Sequence, residues 1–593
     1  MNRRKLERMK ESLPGEEVLK RPITRKQLVA GAGATSLGLL LAACGGGGEE
    51  AAPAPPAEPA PPPAETGGAQ TGAAPPSEEA PLKEGLAEGK WGGPTGFEGA
   101  ERYQYEFDSE EGRAIQALRQ MVQDGTAPDE LVVQVLDGAE GHITVAFPEG
   151  APSLAALFEE ETGIKIRTVL TTPETNYTDN LQNISTQNGS FDVVQAAATD
   201  IGDFAEGGLL RNIDDFVDKY QPAWLDPEFG YEGGEPVVKL FNTYAGSYYV
   251  VAYDNDTQPY AYRSDLLTNP EEQAAFEDQY GRPLRFPITW EEHAEVAQFF
   301  TRKDADPPLY GDVAVKSPFW GIVNWQQRFV SAANPNMYYF NEDGSANINN
   351  EAGIRAAEEH VQAVEWGGPN ILTDIWIDMY ASLGSGVGLM GNGFPNVTKI
   401  MPGNPDLDTG DKGQFIATDL TPGRIVDGQL VRRPVIFFNI SWGVNAFADP
   451  ARHEAAYLFL HWSGGARVYT WLTGNPAGFM DPHHTYSFAD PLVQESYSRG
   501  SPNERGEISA DVLKAIIPYT APPITLRGAA EYTNALDIQL QNAITGQKSA
   551  EQAIADTAAE WDAITERIGV DKQVAAIQGG LDAWPTVVDE EPA

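Results

Sequence analysis

The chain has one cysteine in 593 residues. An intramolecular disulfide and a cysteine-built metal centre are therefore excluded, and the single thiol needs its own explanation. Histidine is scarce: the seven are scattered apart from the pair His483 and His484, and no HExxH occurs, so no metal or cofactor is expected. Basic residues are few, 41 against 86 acidic, and the resulting charge of −45 repels polyphosphate, which argues against nucleic acid as a partner. A GxSxG nucleophile motif is missing. The run GSGVGLMGNG at 384–393 lacks the Lys-Ser/Thr and the strand-turn-helix setting of a phosphate loop. Acids are so common that a secreted glycosidase using paired carboxylates stays open as the alternative reading, with nothing to place two of them at the required spacing.

What is present is an ordered body with long ends. An apolar share of 41% suits a globular core, whereas 60 Gly and 44 Pro call for tails and many turns. The length predicts about two to four lobes. Residues 21–44 read RPITRKQLVAGAGATSLGLLLAAC, a basic segment followed by an uncharged apolar stretch from Leu28 to Ala43. At about 16 residues the stretch is short for a membrane span and suits a signal sequence. It ends in Leu41-Ala42-Ala43-Cys44, which resembles the lipobox of bacterial lipoproteins and accounts for the only cysteine as a lipidation site. Arg25-Lys26 resembles a variant twin-arginine signal, and the general secretory route stays open. Removing residues 1–44 takes nine basic and four acidic residues and leaves a charge of −50. Residues 45–90, rich in Pro, Ala and Gly, cannot bury enough surface to fold and are expected to form a disordered tether. Residues 91–139 read as an extension packed on the body, with a helix near Ala114–Val122 and a strand at Leu131–Leu136.

From residue 140 the pattern is α/β. HITVAF (142–147) reads as a strand, 152–162 as a helix stopped by Gly163, 164–170 as a strand, 174–187 as a helix and FDVVQ (191–195) as a strand. Such alternation predicts a parallel sheet with helices on its faces and functional loops at the carboxyl ends of the strands. Thr289-Trp290-Glu291-Glu292 and Ser549-Ala550-Glu551-Gln552 are capping boxes opening helices to about 301 and 568, and Ile354, Ala357, Val361 and Val364 mark a third helix.

Several segments together are similar to the extracellular solute-binding lipoproteins of ABC importers, in particular the carbohydrate-binding group that includes maltose-binding protein. They are LFEEETGIKIRTVL (157–170), FDVVQ with GDFAEGGLL (191–210), YAYRSDLL (260–267), PITWEEHAEVAQFF (287–300), GVGLMGNGFP (386–395), SWGVNAFADPARHEAAYLFLHW (441–462) and NAITGQKSAEQAI (542–554). The resemblance implies two α/β lobes joined by hinge strands and closing on a ligand. Lobe 1 would take 140–257 and 443–498, lobe 2 would take 258–442 and 499–575, and 576–593 would be an acidic tail. It implies a non-enzymatic, monomeric protein outside the bacterial membrane, anchored through Cys44, that hands a small polar solute to permease subunits.

A sugar presents hydroxyl pairs on its rim and apolar C–H faces, so its site needs carboxylates or amides together with flat aromatic rings. Glu149, just after the first expected strand, and Thr199 with Asp200, after the third, fall on one rim of a parallel sheet; a solvated loop acid or a helix cap is the competing reading. By resemblance Asp256 falls at the hinge, Ser317, Phe319 and Trp320 in a segment supplying a stacking aromatic, and Phe394 where the family often has a stacking Trp. Trp442 lies where the chain crosses back between lobes. Tyr532 opens the long C-terminal helix, and Arg527 is a candidate ligand for hydroxyl or carboxylate groups, with a salt bridge as its alternative. Core packing competes for every aromatic, because 12 Trp and 24 Phe cannot all touch a ligand.

Overall fold

The computed structural model describes residues 83–582 apart from 138, 336, 405, 406, 408, 409 and 477, and these lie in one compact unit, 82–593. The signal, the lipidation of Cys44 and the tether up to residue 82 fall outside the described residues. Residues 83–90, expected as the end of the tether, are fastened to the body: Lys83 Nζ donates to Gly93 O and to Glu160, and Gln104 Oε1 accepts from Ala87 N.

Among the described residues, and apart from two two-stranded hairpins, nine strands build two larger sheets: β1 (Glu130–Leu136), β2 (Lys165–Thr171), β3 (Val193–Ala196), β4 (Val250–Ala252), β5 (Tyr260–Arg263), β6 (Tyr310–Asp312), β7 (Gly388–Asn392), β8 (Ile416–Asp419) and β9 (Ser441–Val444). The first sheet has the order β2-β1-β3-β9-β4 and the second β8-β5-β7-β6. In the first, β1 runs parallel to both neighbours, with Val133 opposite Thr168 and Val193, while β9 is antiparallel to β3 and β4, with Trp442 opposite Gln195 and Val251.

The strand that starts this sheet is β1, and HITVAF is not a strand. Leu131, Val132, Val133 and Val135 are buried because β1 is covered on both faces, whereas Gly141–Thr144 form a single helical turn after its carboxyl end. His142 is buried there, its Nε2 accepting from Phe479 N. The stretch 91–139 is correspondingly part of the body: the helix Glu110–Gln123, capped by Ser109 Oγ on Gly112 N, packs against the helix Pro450–Ser463. At the other end the helix Val570–Asp582 runs into the expected tail, with Ala576 and Ile577 buried.

Local signals explain most of the remaining elements. Ser153 Oγ accepts from Ala156 N to open Leu154–Thr162, and Gly163, at φ 80°, closes it. Thr289 Oγ1 accepts from Glu292 N while Glu292 Oε2 accepts from Ile288 N, opening Trp290–Phe300. Ser549 opens Ala550–Ile568 in the same way. Helix and sheet meet at backbone contact where Gly311 lies in β6: a Cβ there would sit 1.9 Å from Ala297 O. Among the described residues no helix is long and apolar enough to cross a membrane.

The chain passes between the sheets at 253–259, from β4 to β5, and returns through 432–440 to β9. The two crossings are bonded to one another: Tyr253 N donates to Ile440 O, Gln258 N to Val435 O, and Thr257 bridges Ile436. A third segment lies alongside, with Ala521 N donating to Pro434 O. These segments are the hinge.

Candidate functional site

Beside the hinge, residues of the second sheet's side enclose a narrow cavity of about 10 Å³, room for about one water. Four aromatic residues, Trp320, Trp376, Phe394 and Phe437, line it together with two carboxamides, Gln258 and Asn392. Ring planes cross rather than stack: Trp376 meets Phe394 at 83° with centroids 6.0 Å apart, and Trp320 meets Phe437 at 54° and 5.7 Å. Cavities that hold small molecules start at about 300 Å³. A sugar would therefore need the walls to part or the rings to turn.

Each wall residue is held by local chemistry. Asn392 ends β7, and Gly393 follows under the Tyr380 ring, where a Cβ would lie 3.3 Å from Tyr380 Cε1. Tyr380 donates to Phe394 O at 3.1 Å, fixing the turn that presents the Phe394 ring. Trp320 is set by the turn before it: Ser317 Oγ donates to Asp374 O at 2.6 Å and Ser317 O accepts from Gly321 N at 2.8 Å. Within that turn Phe319 has a left-handed backbone, φ 68°, and an exposed ring, 38% accessible. A non-glycine residue in that region costs of order 1–3 kcal/mol. Phe319 N donates to Asp537 Oδ2 at 2.8 Å, which holds the strained residue, and burial raises the Asp537 carboxyl to about 6.

Behind the hinge lies a buried acidic group. Asp254, Asp256 and Asp481 offer carboxylate oxygens all within 4.8 Å of one another. Asp256 Oδ2 accepts from Asn439 N, so it ties one crossing to the other. Asp254 Oδ1 accepts from Asp481 N and Asn255 N, and Asp481 accepts from Asn396 Nδ2 and from Tyr497. Burial drives all three carboxyls up, Asp254 to about 7, and the charges of Asp254 and Asp481 raise Asp256 further. Lys399 Nζ donates to Thr473 O and Met480 O nearby, and burial lowers it to about 8 despite the attraction of Asp481 and Asp254.

The structure places Trp320 and Phe394 in the cavity wall and Phe319 beside it, its ring 5.2 Å from that of Phe437. Asp256 lies in the hinge. The other candidates are elsewhere. Glu149 is on an exposed turn, because the strand it was expected to follow is a helical turn. Thr199 and Asp200 do follow β3 at its carboxyl end, yet Asp200 Oδ2 is occupied by Asn176 Nδ2 and Ala197 N, Thr199 donates to Asp200 Oδ1, and burial raises Asp200 to about 7. Ser317 is used up by its turn. Trp442 is in the core, 1% exposed, stacked on Tyr253 with centroids 3.8 Å apart and donating to Gln195 Oε1. Tyr532 is also core, bonded to Thr565 and Gln573 and packed edge-on to Trp561. Arg527 faces Glu206 at 3.9 Å, the salt-bridge alternative. Sequence reasoning missed Trp376, Phe437, Gln258 and Asn392. Only the last had a usable signal, standing inside the GVGLMGNGFP segment that carries the resemblance.

Two helix-flanked sheets joined by paired crossings, with an aromatic cavity beside them, are the architecture of the two-lobed binding-protein fold. The bacterial extracellular solute-binding protein family matches residues 144–470, more than half of the chain, and the chain belongs to that family. No curated protein matches it significantly. Solved structures with the same fold include an ABC transporter solute-binding protein from Agrobacterium radiobacter in complex with ribitol, at 17% identity and a TM-score of 0.59, over 74% of this chain and 99% of that one. Maltose-bound MalE3 of T. maritima is similar at 13% identity and a TM-score of 0.57, over 73% and 99%. A solute-binding protein from Agrobacterium vitis with D-mannitol bound matches at 15% identity and 0.52, over 74% and 99%.

Proposed function

We propose that the protein captures a small polar solute, a sugar or polyol, in the cavity beside the hinge and delivers it to the permease subunits of an ABC importer. The observation that carries this reading is the aromatic wall with two amides, set against the hinge of a solute-binding fold: rings cover the C–H faces of a sugar and amides pair with its hydroxyls. Among the described residues the wall carries no carboxylate, which favours capture over glycosidic cleavage at this cavity. A solute that touches the wall and the opposite lobe binds the closed form better, and that difference drives closure of a monomer.

Trp320 is 8% exposed and packs on Phe437 and Phe438, so Trp320→Ala should weaken solute binding by about 1–3 kcal/mol. Thermal shift over a panel of sugars and polyols finds the solute, since binding to the folded form alone raises stability by RT ln(1 + [L]/Kd). Calorimetry on the variant and small-angle scattering with and without solute then test the site. Unchanged affinity in the variant, or an unchanged radius at saturation, refutes the cavity as the binding site.

The same reading makes Cys44 the lipid anchor at the outer face of the cell membrane, with residues 45–82 as the tether. Cys44→Ser should release the protein from the membrane fraction or leave its precursor uncut. A variant that fractionates and migrates like the parent removes the anchor.

A further inference from the structure

We infer that Gln258 and Asn392 form a neutral amide clamp that takes one hydroxyl pair of the solute and selects uncharged solutes over charged ones; the inference rests on the cavity being the solute site. The two side chains come from different elements, Gln258 from the hinge and Asn392 from the end of β7, and meet with Asn392 Nδ2 donating to Gln258 Oε1 at 3.2 Å. Both backbones are fixed there. Gln258 N donates to Val435 O, and Gln258 O accepts from Thr421 Oγ1 at 3.1 Å.

Asn392 is 4% exposed, and its Oδ1 has no hydrogen-bond partner. A buried acceptor without a donor is costly, and the great majority of such groups in folded proteins are paired. This one lies on a cavity, where a bound hydroxyl would satisfy it.

The chemistry of the pair sets what fits. Each carboxamide brings one acceptor oxygen and one NH2 group. Their mutual bond uses the Gln258 oxygen and one Asn392 N–H, leaving Asn392 Oδ1 to accept and Gln258 Nε2 to donate. Exchanging O and N in both amides leaves the same offer with the residues reversed, so the pair presents one donor and one acceptor in either orientation. A hydroxyl, or two on adjacent carbons, is both donor and acceptor and answers both. A phosphate cannot donate when ionised, and an ammonium cannot accept.

The rest of the wall supplies no counter-charge. Besides the four rings the cavity is closed mainly by Val315, Val323 and Met379. The neighbouring charges are already engaged: Lys316 Nζ donates to Ala314 O and lies 3.6 Å from Asp312, and Asp256 is bonded to Asn439 N. An ionic solute would thus lose its hydration with nothing to replace it.

The test uses the soluble body with ribitol, mannitol, maltose and glucose as neutral probes, and mannitol 1-phosphate and glucosamine as charged partners of two of them, read by calorimetry. At least one neutral probe should bind at least tenfold more tightly than its charged partner. Asn392→Leu and Gln258→Leu should each weaken that neutral probe about tenfold or more; each also leaves the partner amide unpaired, so the melting temperature should fall somewhat, and binding is read where both variants are folded. Charged partners that bind the parent as tightly as neutral ones, or leucine variants that bind normally, overturn the clamp and leave the solute-binding reading standing. A parent that binds none of the probes at millimolar concentration overturns both.

Discussion

Trp442→Ala is expected to lower the unfolding free energy by about 3–5 kcal/mol, the range for removing a large buried aromatic side chain. The ring is 1% exposed, lies flat on Tyr253, and donates to Gln195 Oε1 at 3.1 Å. Gln195 Nε2 already lacks a partner, so the variant would leave both ends of that buried amide unsatisfied. Since whole domains are stable by only about 5–15 kcal/mol, urea unfolding should register the change as a large drop in midpoint. A ligand-facing Trp442 predicts the opposite pattern, weakened solute binding with the midpoint nearly unchanged, and that result would move the residue back to the cleft.

The second large effect is a loss of stability as pH rises between about 4 and 7, traceable to the acidic group behind the hinge. A carboxyl whose folded value lies above its unfolded one binds its proton more tightly in the folded state. Its contribution is present at low pH and lost as pH rises toward the folded value. For Asp254 the window runs from 3.8 to about 7. A carboxyl contributes at most about 1.4 kcal/mol per pH unit within its window, so Asp254 alone accounts for up to about 4 kcal/mol. Lys399 acts in the opposite sense higher up: lowered from 10.5 to about 8, it adds stability as pH rises between those values. Asp200 and Glu110, also raised by burial, slope with Asp254, so the comparison must be with a variant. Asp254→Asn keeps an oxygen to accept from Asp481 N and Asn255 N and removes the charge. The variant should gain stability over the parent at pH 8 and gain little at pH 5, read by urea unfolding at both. An equal difference at the two pH values would refute the charge as the cause.

Local grammar carried much of the fold into view. Ser and Thr caps at Ser153, Thr289 and Ser549, and Gly163 as a stop, act within one helical turn, so a reading of neighbours finds them. The first strand was misplaced because Ile143-Thr144-Val145 has the same β-branched character as Leu131–Leu136. What separates the two is the ladder: β1 finds β2 and β3 on either side, a long-range fact that propensity does not encode. The aromatics divide in the same way. Phe394 and Trp320 stood in segments carrying the family likeness, while Trp376 gave no local cue, and Trp442 is buried only because β9 inserts between β3 and β4. Asp200 shows a further limit, since its position was right and its oxygens were already taken by neighbours.

That insertion has a consequence for the order in which the molecule can be made. β9 is the strand that joins β3 to β4, and 188 residues separate β4 from it, a stretch that includes the whole second sheet. Until residue 444 has emerged, β4 has no partner strand in the first sheet and Tyr253 lacks the ring it stacks on. The first sheet begun is thus closed only after the second is complete, and its slow step is the capture of a late strand by an early sheet, the long-range pairing that makes folding slow.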